Sequence, residues 1–120
     1  MIVLGINAYH ADVSAVLIRD GELIAAVEEE RFRRIKHIAG FPRESIRACL
    51  EMAGAAPQDV DHVGVSRNPR AHLLRKGLFA LSHRPKGEML KDRASNYRQV
   101  ARVPESVADS LGLRDGDRRP

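Results

Sequence analysis

The chain has 120 residues, of which 43% are apolar, so it can build one hydrophobic core and does not have the composition of a disordered protein. It contains no Trp, three Phe and two Tyr, which argues against base stacking on single-stranded nucleic acid as its main function. The one cysteine, Cys49, excludes an internal disulfide and a zinc site built from several thiolates. No apolar run reaches the roughly 20 residues of a membrane span and no basic leader precedes the first run, so we expect a reduced, cytoplasmic protein that does not enter a membrane.

The net charge of +4 is unevenly distributed along the chain. Residues 1–60 carry a net charge of −2, and residues 61–120 carry +6. The bases between residues 67 and 102 could meet the phosphates of a nucleic acid. They are interspersed with Leu and Ala, which is typical of the solvated faces of surface helices, so a nucleic-acid partner is disfavoured.

Three strands are predicted at the start of the chain. Residues 2–6 form a continuous apolar run of the kind found in strands that are covered on both faces. Residues 13–19 and 22–29 are the second and third strands, and Asp20-Gly21 between them is a strong signal for a two-residue hairpin turn. This hairpin has apolar residues on both faces, so we expect both faces to be covered.

A two-residue turn determines which residues of the hairpin face each other. Arg19 opposite Glu22 is an opposite-charge pair worth about 0.2–1 kcal/mol, which favours this register. The same register predicts the facing pairs Ile18–Leu23, Val16–Ala25 and Asp12–Glu29. Polar and charged residues then collect at the open end of the hairpin, where a rigid sheet can support a site.

A helix and a fourth strand follow the hairpin. Pro42 suits the first position of a helix, and Gly54 suits the position after its last residue. The apolar residues at helical spacing are Ile46, Cys49, Leu50 and Ala53. Cys49 is therefore interpreted as a buried apolar residue and not as a reactive thiol. Residues 61–66 form a short strand after the helix.

Two further helices are predicted from the apolar spacing, over residues 70–81 and 86–102. Residues 1–103 are expected to form the folded portion, and residues 104–120 a weakly ordered tail that holds one or two helical turns after Pro104. Three antiparallel strands, then a helix and a crossover to another strand, are the opening of an RNase H-like α/β domain.

Common nucleotide-binding and hydrolase motifs do not occur in the sequence. There is no G-x-x-x-x-G-K-[ST] loop, no G-x-G-x-x-G, no H-E-x-x-H and no G-x-S-x-G. Residues 28–37 instead place three acids before five basic residues, His37 included. On composition alone this run is interpreted as a solvated loop with local ion pairs, each worth under about 1 kcal/mol.

Four separated segments point to a more specific interpretation of that run. Residues 7–15, 20–22, 28–37 and 40–42 resemble, in order and spacing, the start of the nodulation-type O-carbamoyltransferases, the family whose members carbamoylate antibiotics and lipo-oligosaccharide signals. The resemblance is specific over residues 2–66 and weak beyond them. It implies the N-terminal portion of a first domain similar to the actin-like ATPases and sugar kinases, whose cores are RNase H-like. The element order agrees with that implication.

The resemblance also implies a reaction. Enzymes of this family use ATP and carbamoyl phosphate to make carbamoyl-adenylate in a second domain. The first domain then transfers the carbamoyl group to an acceptor hydroxyl on a small molecule or a glycan. Such a transfer needs a base near the hydroxyl and positive charge near the developing oxyanion.

Candidate site residues follow from the matched positions. Lys36 matches a lysine that resembles a substrate-binding residue of the family, and a compact ammonium suits a carbonyl oxygen or a phosphate. His10 and Asp12 match the polar turn between the first two strands. His10 is the candidate base, since imidazoles titrate near neutral pH, and Asp12 is a candidate to orient it or to bind the acceptor. Arg31 and His37 are neighbouring candidates for substrate binding, with loop packing and pairing to the preceding acids as the alternative.

The sequence also departs from the family pattern. Family members are several times longer, and their H-H-x-x-H metal pattern, later acidic metal ligand and adenylate-forming domain have no counterpart here. We therefore expect ATP and a divalent metal in the complete enzyme, neither of them bound by this chain alone, and an inactive isolated chain with an unpaired strand edge. The alternatives are a non-catalytic remnant that binds a partner or self-associates through that edge, and another ATPase-superfamily transferase such as a threonylcarbamoyl transferase, which residues 28–37 suit less well.

Overall fold

Strand-forming residues at the start of the chain build a four-stranded sheet with a helix packed on one face. The computed structural model describes residues 1–66, 74, 75, 78, 82, 95 and 97–112. β1 (Ile2–Asn7), β2 (Ser14–Arg19) and β3 (Glu22–Glu28) pair in antiparallel succession. β4 (His62–Val65) pairs in parallel with β1, so the strand order is β3-β2-β1-β4. The predicted succession of three antiparallel strands, a helix and a crossover to a fourth strand is confirmed.

The turn of the β2–β3 hairpin lies at Asp20 and Gly21, as predicted. Both residues have positive φ, 53° and 88°, which a two-residue turn between strands requires. Glycine adopts this conformation without a steric cost, and aspartate tolerates it better than most residues. The ammonium of Met1 donates a hydrogen bond to Oδ1 of Asp20. That hydrogen bond raises the pKa of the Met1 amino group and lowers the pKa of the Asp20 carboxyl.

The hairpin keeps the predicted register next to the turn and loses it further along. Leu17 faces Ala25, and Ile24 is an extra residue in β3, which makes a β-bulge. Val16 consequently faces Ala26, so the predicted pair of Val16 with Ala25 is wrong. The reason is packing, because the bulge sets the small Ala25 beside the fully buried Leu17 on the face that the helix covers.

Two helices follow β3. The short helix α1 (Glu30–Arg33) was not predicted, whereas α2 (Arg43–Ala53) is the predicted helix. Pro42 is the N-cap of α2 and not its first helical residue, and Gly54 ends α2 with a φ of 58°, as predicted. The predicted apolar face of α2 is buried, with Ile46, Cys49, Leu50 and Ala53 each at most 8% exposed. A 3-10 turn at Pro57–Asp59 leads from α2 to β4.

The core lies between α2 and one face of the sheet. The buried sheet residues on this face are Leu4, Ile6, Ala15, Leu17 and Ala25. On the opposite face Val3, Val16 and Ile18 are half-buried, and Leu23 is 65% exposed. In the described part of the chain, the expected cover is therefore present on one face of the sheet only.

A third helix, α3 (Val103–Ser110), supplies the helical turns expected after Pro104. Its buried residues Val103 and Val107 belong to the core cluster. Residues 97–101 are also helical, at the end of the helix predicted over 86–102. The rest of that helix, most of the one predicted over 70–81, and residues 113–120 lie outside the described residues. None of the described helices is long and apolar enough to cross a membrane.

Candidate functional site

The strand directions bring several loops to one edge of the sheet. β1, β3 and β4 run in the same direction, and β2 begins where β1 ends. Residues 8–13, residues 29–42 and Ser66 therefore meet at one edge, which we call the carboxyl edge. Ligands of open α/β sheets bind outside the carboxyl ends of the strands, so the carboxyl edge is the candidate binding site.

Two backbone hydrogen bonds join the loops of the carboxyl edge. The N–H of Tyr9 donates to the carbonyl of Gly40 at 2.8 Å, and the N–H of Glu29 donates to the carbonyl of Val13 at 2.9 Å. Because the bulge in β3 moves the pairing by one residue, Glu29 lies beside Val13, and the prediction that Asp12 faces Glu29 is wrong. The hairpin thus places the polar turn after β1 next to the segment that follows β3, independently of the register error.

Asp12 and His37 form a pair across these two loops. Nδ1 of His37 lies 3.1 Å from Oδ1 of Asp12, and the two side chains are 74% and 60% exposed. Both residues adopt the left-handed region, with φ of 55° and 65°. Such conformations cost non-glycine residues about 1–3 kcal/mol and concentrate at functional sites. The structure therefore brings two of the five predicted site residues into contact.

The other three predicted site residues are not brought together by direct contacts. His10 is exposed, and its Nδ1 lies 3.1 Å from the carbonyl of Ala11 in the same turn. Lys36 and Arg31 are exposed as well, and neither makes a hydrogen bond or an ion pair with another described residue. His10 and Lys36 belong to the two loops that meet at the carboxyl edge, and their functional roles stay predictions.

Sequence reasoning missed two polar residues at the ends of the central strands. The side-chain amide of Asn7 donates to the carbonyl of Asp12 at 2.9 Å, and Oδ1 of Asn7 accepts the hydroxyl of Ser66 at 2.8 Å. Asn7 therefore connects the turn after β1 with the end of β4. The signal was available, because each of these residues directly follows an apolar strand segment.

Sequence reasoning also missed Glu29, which it treated as one acid of an exposed run. Glu29 is 1% exposed, and its carboxylate accepts hydrogen bonds from Ser45 and Glu44 at the start of α2. Neither the charge nor the spacing of the three consecutive acids indicates which one turns inward. Burial of the second acid is decided by the position of α2.

The carboxyl edge carries groups for proton transfer and for anion binding. In the neutral tautomer that carries its proton on Nδ1, His37 donates to Asp12 and its Nε2 can accept a proton. Lys36 adds an ammonium to the same loop. An imidazole and a cation at one edge are the elements that acyl transfer to a hydroxyl requires. No group of three or more His, Cys, Asp or Glu side chains that could hold a metal occurs among the described residues.

Known proteins match the segment that builds this edge. Residues 2–75 match the family model of the carbamoyltransferase N-terminus. The nodulation protein NolNO of Sinorhizobium fredii (strain NBRC 101917 / NGR234) is 56% identical over 55 residues, which are 46% of this chain and 8% of that protein. The uncharacterized protein sll1178 of Synechocystis sp. (strain ATCC 27184 / PCC 6803 / Kazusa) is 41% identical over 85 residues, 71% of this chain and 14% of that protein.

A third relative is an uncharacterized 19.2 kDa protein in the syrM 5' region of Rhizobium etli, 47% identical over 57 residues, which are 48% of this chain and 33% of that protein. The chain thus spans a third or less of the length of each of these relatives. The family match covers more than half of the chain and includes all four strands, α2 and every predicted site residue. As the resemblance implied, this chain belongs to the carbamoyltransferase N-terminal family.

Proposed function

We propose that this chain is the N-terminal portion of an O-carbamoyltransferase and contributes groups to its carbamoyl-transfer site. The proposed reaction moves a carbamoyl group from carbamoyl phosphate, through carbamoyl-adenylate, to a hydroxyl of a small molecule or a glycan. One observation carries the proposal: the loops that hold the predicted site residues meet at the carboxyl edge, and both lie inside the segment matched by the family.

We also propose that the sheet is the opening of an RNase H-like domain of the actin-like ATPase and sugar-kinase type. The antiparallel succession of β1, β2 and β3, with β4 parallel to β1 on the other side, supports this proposal. In such a domain the turn after β1 lies at the carboxyl ends of the strands, where ligands of open α/β sheets bind.

The proposed transfer step uses side chains of the carboxyl edge. The acceptor oxygen forms a bond to the carbamoyl carbon while the bond from that carbon to the phosphate oxygen of the adenylate breaks, and AMP leaves with the electron pair. The hydroxyl proton passes to the imidazole of His10. Asp12 orients the acceptor, Lys36 and Arg31 supply positive charge for the carbonyl oxygen and the departing phosphate, and His37 contributes to substrate binding.

ATP, carbamoyl phosphate and a divalent metal are proposed to be bound by parts of a longer protein. The described residues offer no cluster of metal ligands. The relatives extend far beyond the matched segment, which covers 14% of the Synechocystis protein and 8% of NolNO. The chain by itself is accordingly proposed to be inactive.

The test joins this chain to the sequence that follows the matched segment in the Synechocystis relative. Transfer of labelled carbamoyl phosphate to a panel of glycans and small-molecule alcohols is measured with ATP and Mg²⁺. In the joined protein, Lys36→Met should lower turnover about tenfold or more, which corresponds to roughly 1.4 kcal/mol of barrier. Arg34→Met, an exposed base in the same loop, is the matched control and should change turnover little.

Two outcomes of this experiment contradict parts of the proposal. Unchanged turnover in Lys36→Met removes Lys36 from the site, and full activity of the chain alone refutes the need for further segments. His10→Asn and His37→Asn, compared in the same assay, assign the base. A larger loss of turnover in His37→Asn transfers that role to the pair of His37 with Asp12.

A second candidate function is self-association through β4. All four residues of β4 are exposed, and in the described part of the chain this strand pairs on one side only, with β1. Val63 and Val65, on the face that α2 covers elsewhere, are 39% and 38% exposed. An unpaired edge with apolar residues is a template for pairing with a second copy.

Light scattering after size exclusion, at several protein concentrations, tests this second candidate. A dimer that forms with rising concentration is expected, and Val63→Lys should abolish it, because an inward-pointing charge on the apolar face of an edge strand opposes strand pairing. His62→Lys places the same charge on the opposite face of the same strand and serves as the control. A monomer at all concentrations refutes self-association.

A further inference from the structure

Glu29 is a buried carboxylate at the base of the loop formed by residues 30–42. Among the described residues it is the one charged side chain that is buried, with 1% of its surface exposed. Oε2 of Glu29 accepts the N–H of Ser45 at 2.9 Å and its hydroxyl at 2.8 Å, and Oε1 accepts the N–H of Glu44 at 3.3 Å. Nε of Arg33 lies 3.5 Å from Oε1. The hydrogen bonds and the ion pair of this carboxylate are thus all with donors.

The start of α2 explains why a carboxylate is held there. The N-cap of α2 is Pro42, which has no side-chain oxygen to accept the first free N–H groups of the helix. Glu29 accepts two of these N–H groups from a distant position in the chain. Its negative charge also lies at the end of the helix where the peptide dipoles favour an anion.

The same carboxylate closes the loop at its base. Glu29 directly follows β3, and its partners Glu44 and Ser45 lie in the first turn of α2, so one side chain connects both ends of residues 30–42. Two further contacts join the loop to the turn after β1. They are the hydrogen bond from the Tyr9 N–H to the Gly40 carbonyl and the pair of Asp12 with His37. The loop carries Lys36 and His37 between these points.

We propose that Glu29 is a positioning residue, whose carboxylate holds residues 30–42 so that Lys36 and His37 remain at the carboxyl edge. What the loop does there rests on the proposed function. The anchoring itself is a property of this chain and is tested without any activity. If the joined protein without any substitution shows no carbamoyl transfer, the proposed function is contradicted. That result has no bearing on whether Glu29 anchors the loop.

The first test measures the order of the loop in the full 120-residue chain. In Glu29→Ala, amide hydrogen exchange of residues 34–41 and of Ser45, and tryptic cleavage after Lys36, should be faster by about tenfold or more. Glu29→Gln keeps one accepting oxygen and should give an intermediate rate. Glu28→Ala removes the neighbouring carboxylate, which is exposed, and is the matched control with unchanged rates.

The second test separates positioning from a contribution to stability alone. The imidazole ¹⁵N signals of His37 report its contact with Asp12. In folded Glu29→Ala these signals should move toward those of Asp12→Asn, and Glu29→Gln should restore them in part. A residue that only stabilises the fold would lower the urea midpoint and leave the His37 signals and the loop exchange unchanged, and that result overturns the proposal.

A failure of Glu29→Ala to fold does not end the test. Ser45→Ala, which removes the hydroxyl donor, and Glu29→Gln, which keeps one accepting oxygen, are then compared by the same two measurements. Faster exchange of residues 34–41 with a shift of the His37 signals in both variants supports the anchoring. Unchanged loop exchange in both variants refutes it.

Discussion

Gly5 lies in the middle of β1, where a side chain would meet the neighbouring strand. A Cβ built at Gly5 would lie 2.6 Å from Cγ1 of Val16, its partner in β2. Gly5→Ala therefore forces Val16 to move, and we expect a loss of about 1–3 kcal/mol in the free energy of unfolding, measured by urea denaturation. Gly64 is the matched control, because it faces Gly5 in β4 and has no atom within 4 Å of a built Cβ. Equal stability of Gly5→Ala and Gly64→Ala would contradict the close approach.

The ion pair of Met1 with Asp20 makes two pH-dependent contributions to stability. The pKa of the Asp20 carboxyl is lowered from 3.8, so its contribution is present above pH 3.8 and is lost as the pH falls through the lowered value. The pKa of the Met1 amino group is raised from 8.0, so its contribution is present below pH 8.0 and is lost as the pH rises through the raised value.

NMR titration of the Asp20 carboxyl and the Met1 amine checks this prediction. Asp20→Asn should return the Met1 amine toward its usual pKa, and asparagine suits the positive φ of this turn position. Glu22→Gln removes an exposed carboxylate beside the turn without touching the pair, and should leave the amine titration unchanged. An amine titration that is the same in all three proteins would refute the pair.

Among the elements, α2 depends on the glycine that ends it as well as on its buried face. Gly54 ends the helix with a φ of 58°, and its N–H donates to the carbonyl of Glu51 at 3.1 Å. Gly54→Ala places a Cβ in the left-handed region, and we expect a loss of about 1–2 kcal/mol in the free energy of unfolding. Gly40→Ala, at a loop glycine without a positive φ, should cost less. Thermal denaturation of the two variants makes the comparison, and equal losses would contradict the capping role.

The β2–β3 hairpin shows where local chemistry stops determining an element. Asp20 and Gly21 favour positive φ on their own, so the turn and the pair of Arg19 with Glu22 were predictable. The bulge at Ile24 was not predictable from the sequence. β3 carries apolar residues on both faces, so its pattern is compatible with the register that has the bulge and with the register that lacks it. Packing of α2 over Ala25 selects one of them, and this contact is distant in sequence.

For the molecule as a whole, the single thiol reports the integrity of the core. Cys49 has no exposed surface, and burial raises the pKa of its thiol. Reaction with a disulfide reagent at mildly alkaline pH should therefore be about 100-fold slower in the native protein than in concentrated urea. Ile46→Ala, which costs about 2–5 kcal/mol at a buried position, should accelerate the native reaction. Met52→Ala, on the exposed side of α2, is the control and should leave the rate unchanged.

The carboxyl edge follows from the connectivity of the whole sheet. A strand, a tight hairpin and a return strand necessarily bring the turn after β1 and the segment after β3 to the same edge. The sequence therefore predicts that the loop carrying His10 and the loop carrying Lys36 meet at one edge of the sheet. The contact of Asp12 with His37 was not, because it depends on left-handed backbone at both residues.

The sequence by itself determined the strands, the hairpin turn, α2 with its buried face, and the family, because these depend on local conformational preference and on apolar periodicity. Tertiary structure alone decided the bulge at Ile24, the partner of Asp12 and the burial of Glu29. The physical reason is the same in each case. Local conformational preferences leave several positions open to such a side chain. It takes the position in which a distant element, here chiefly α2, packs against it or donates hydrogen bonds to it.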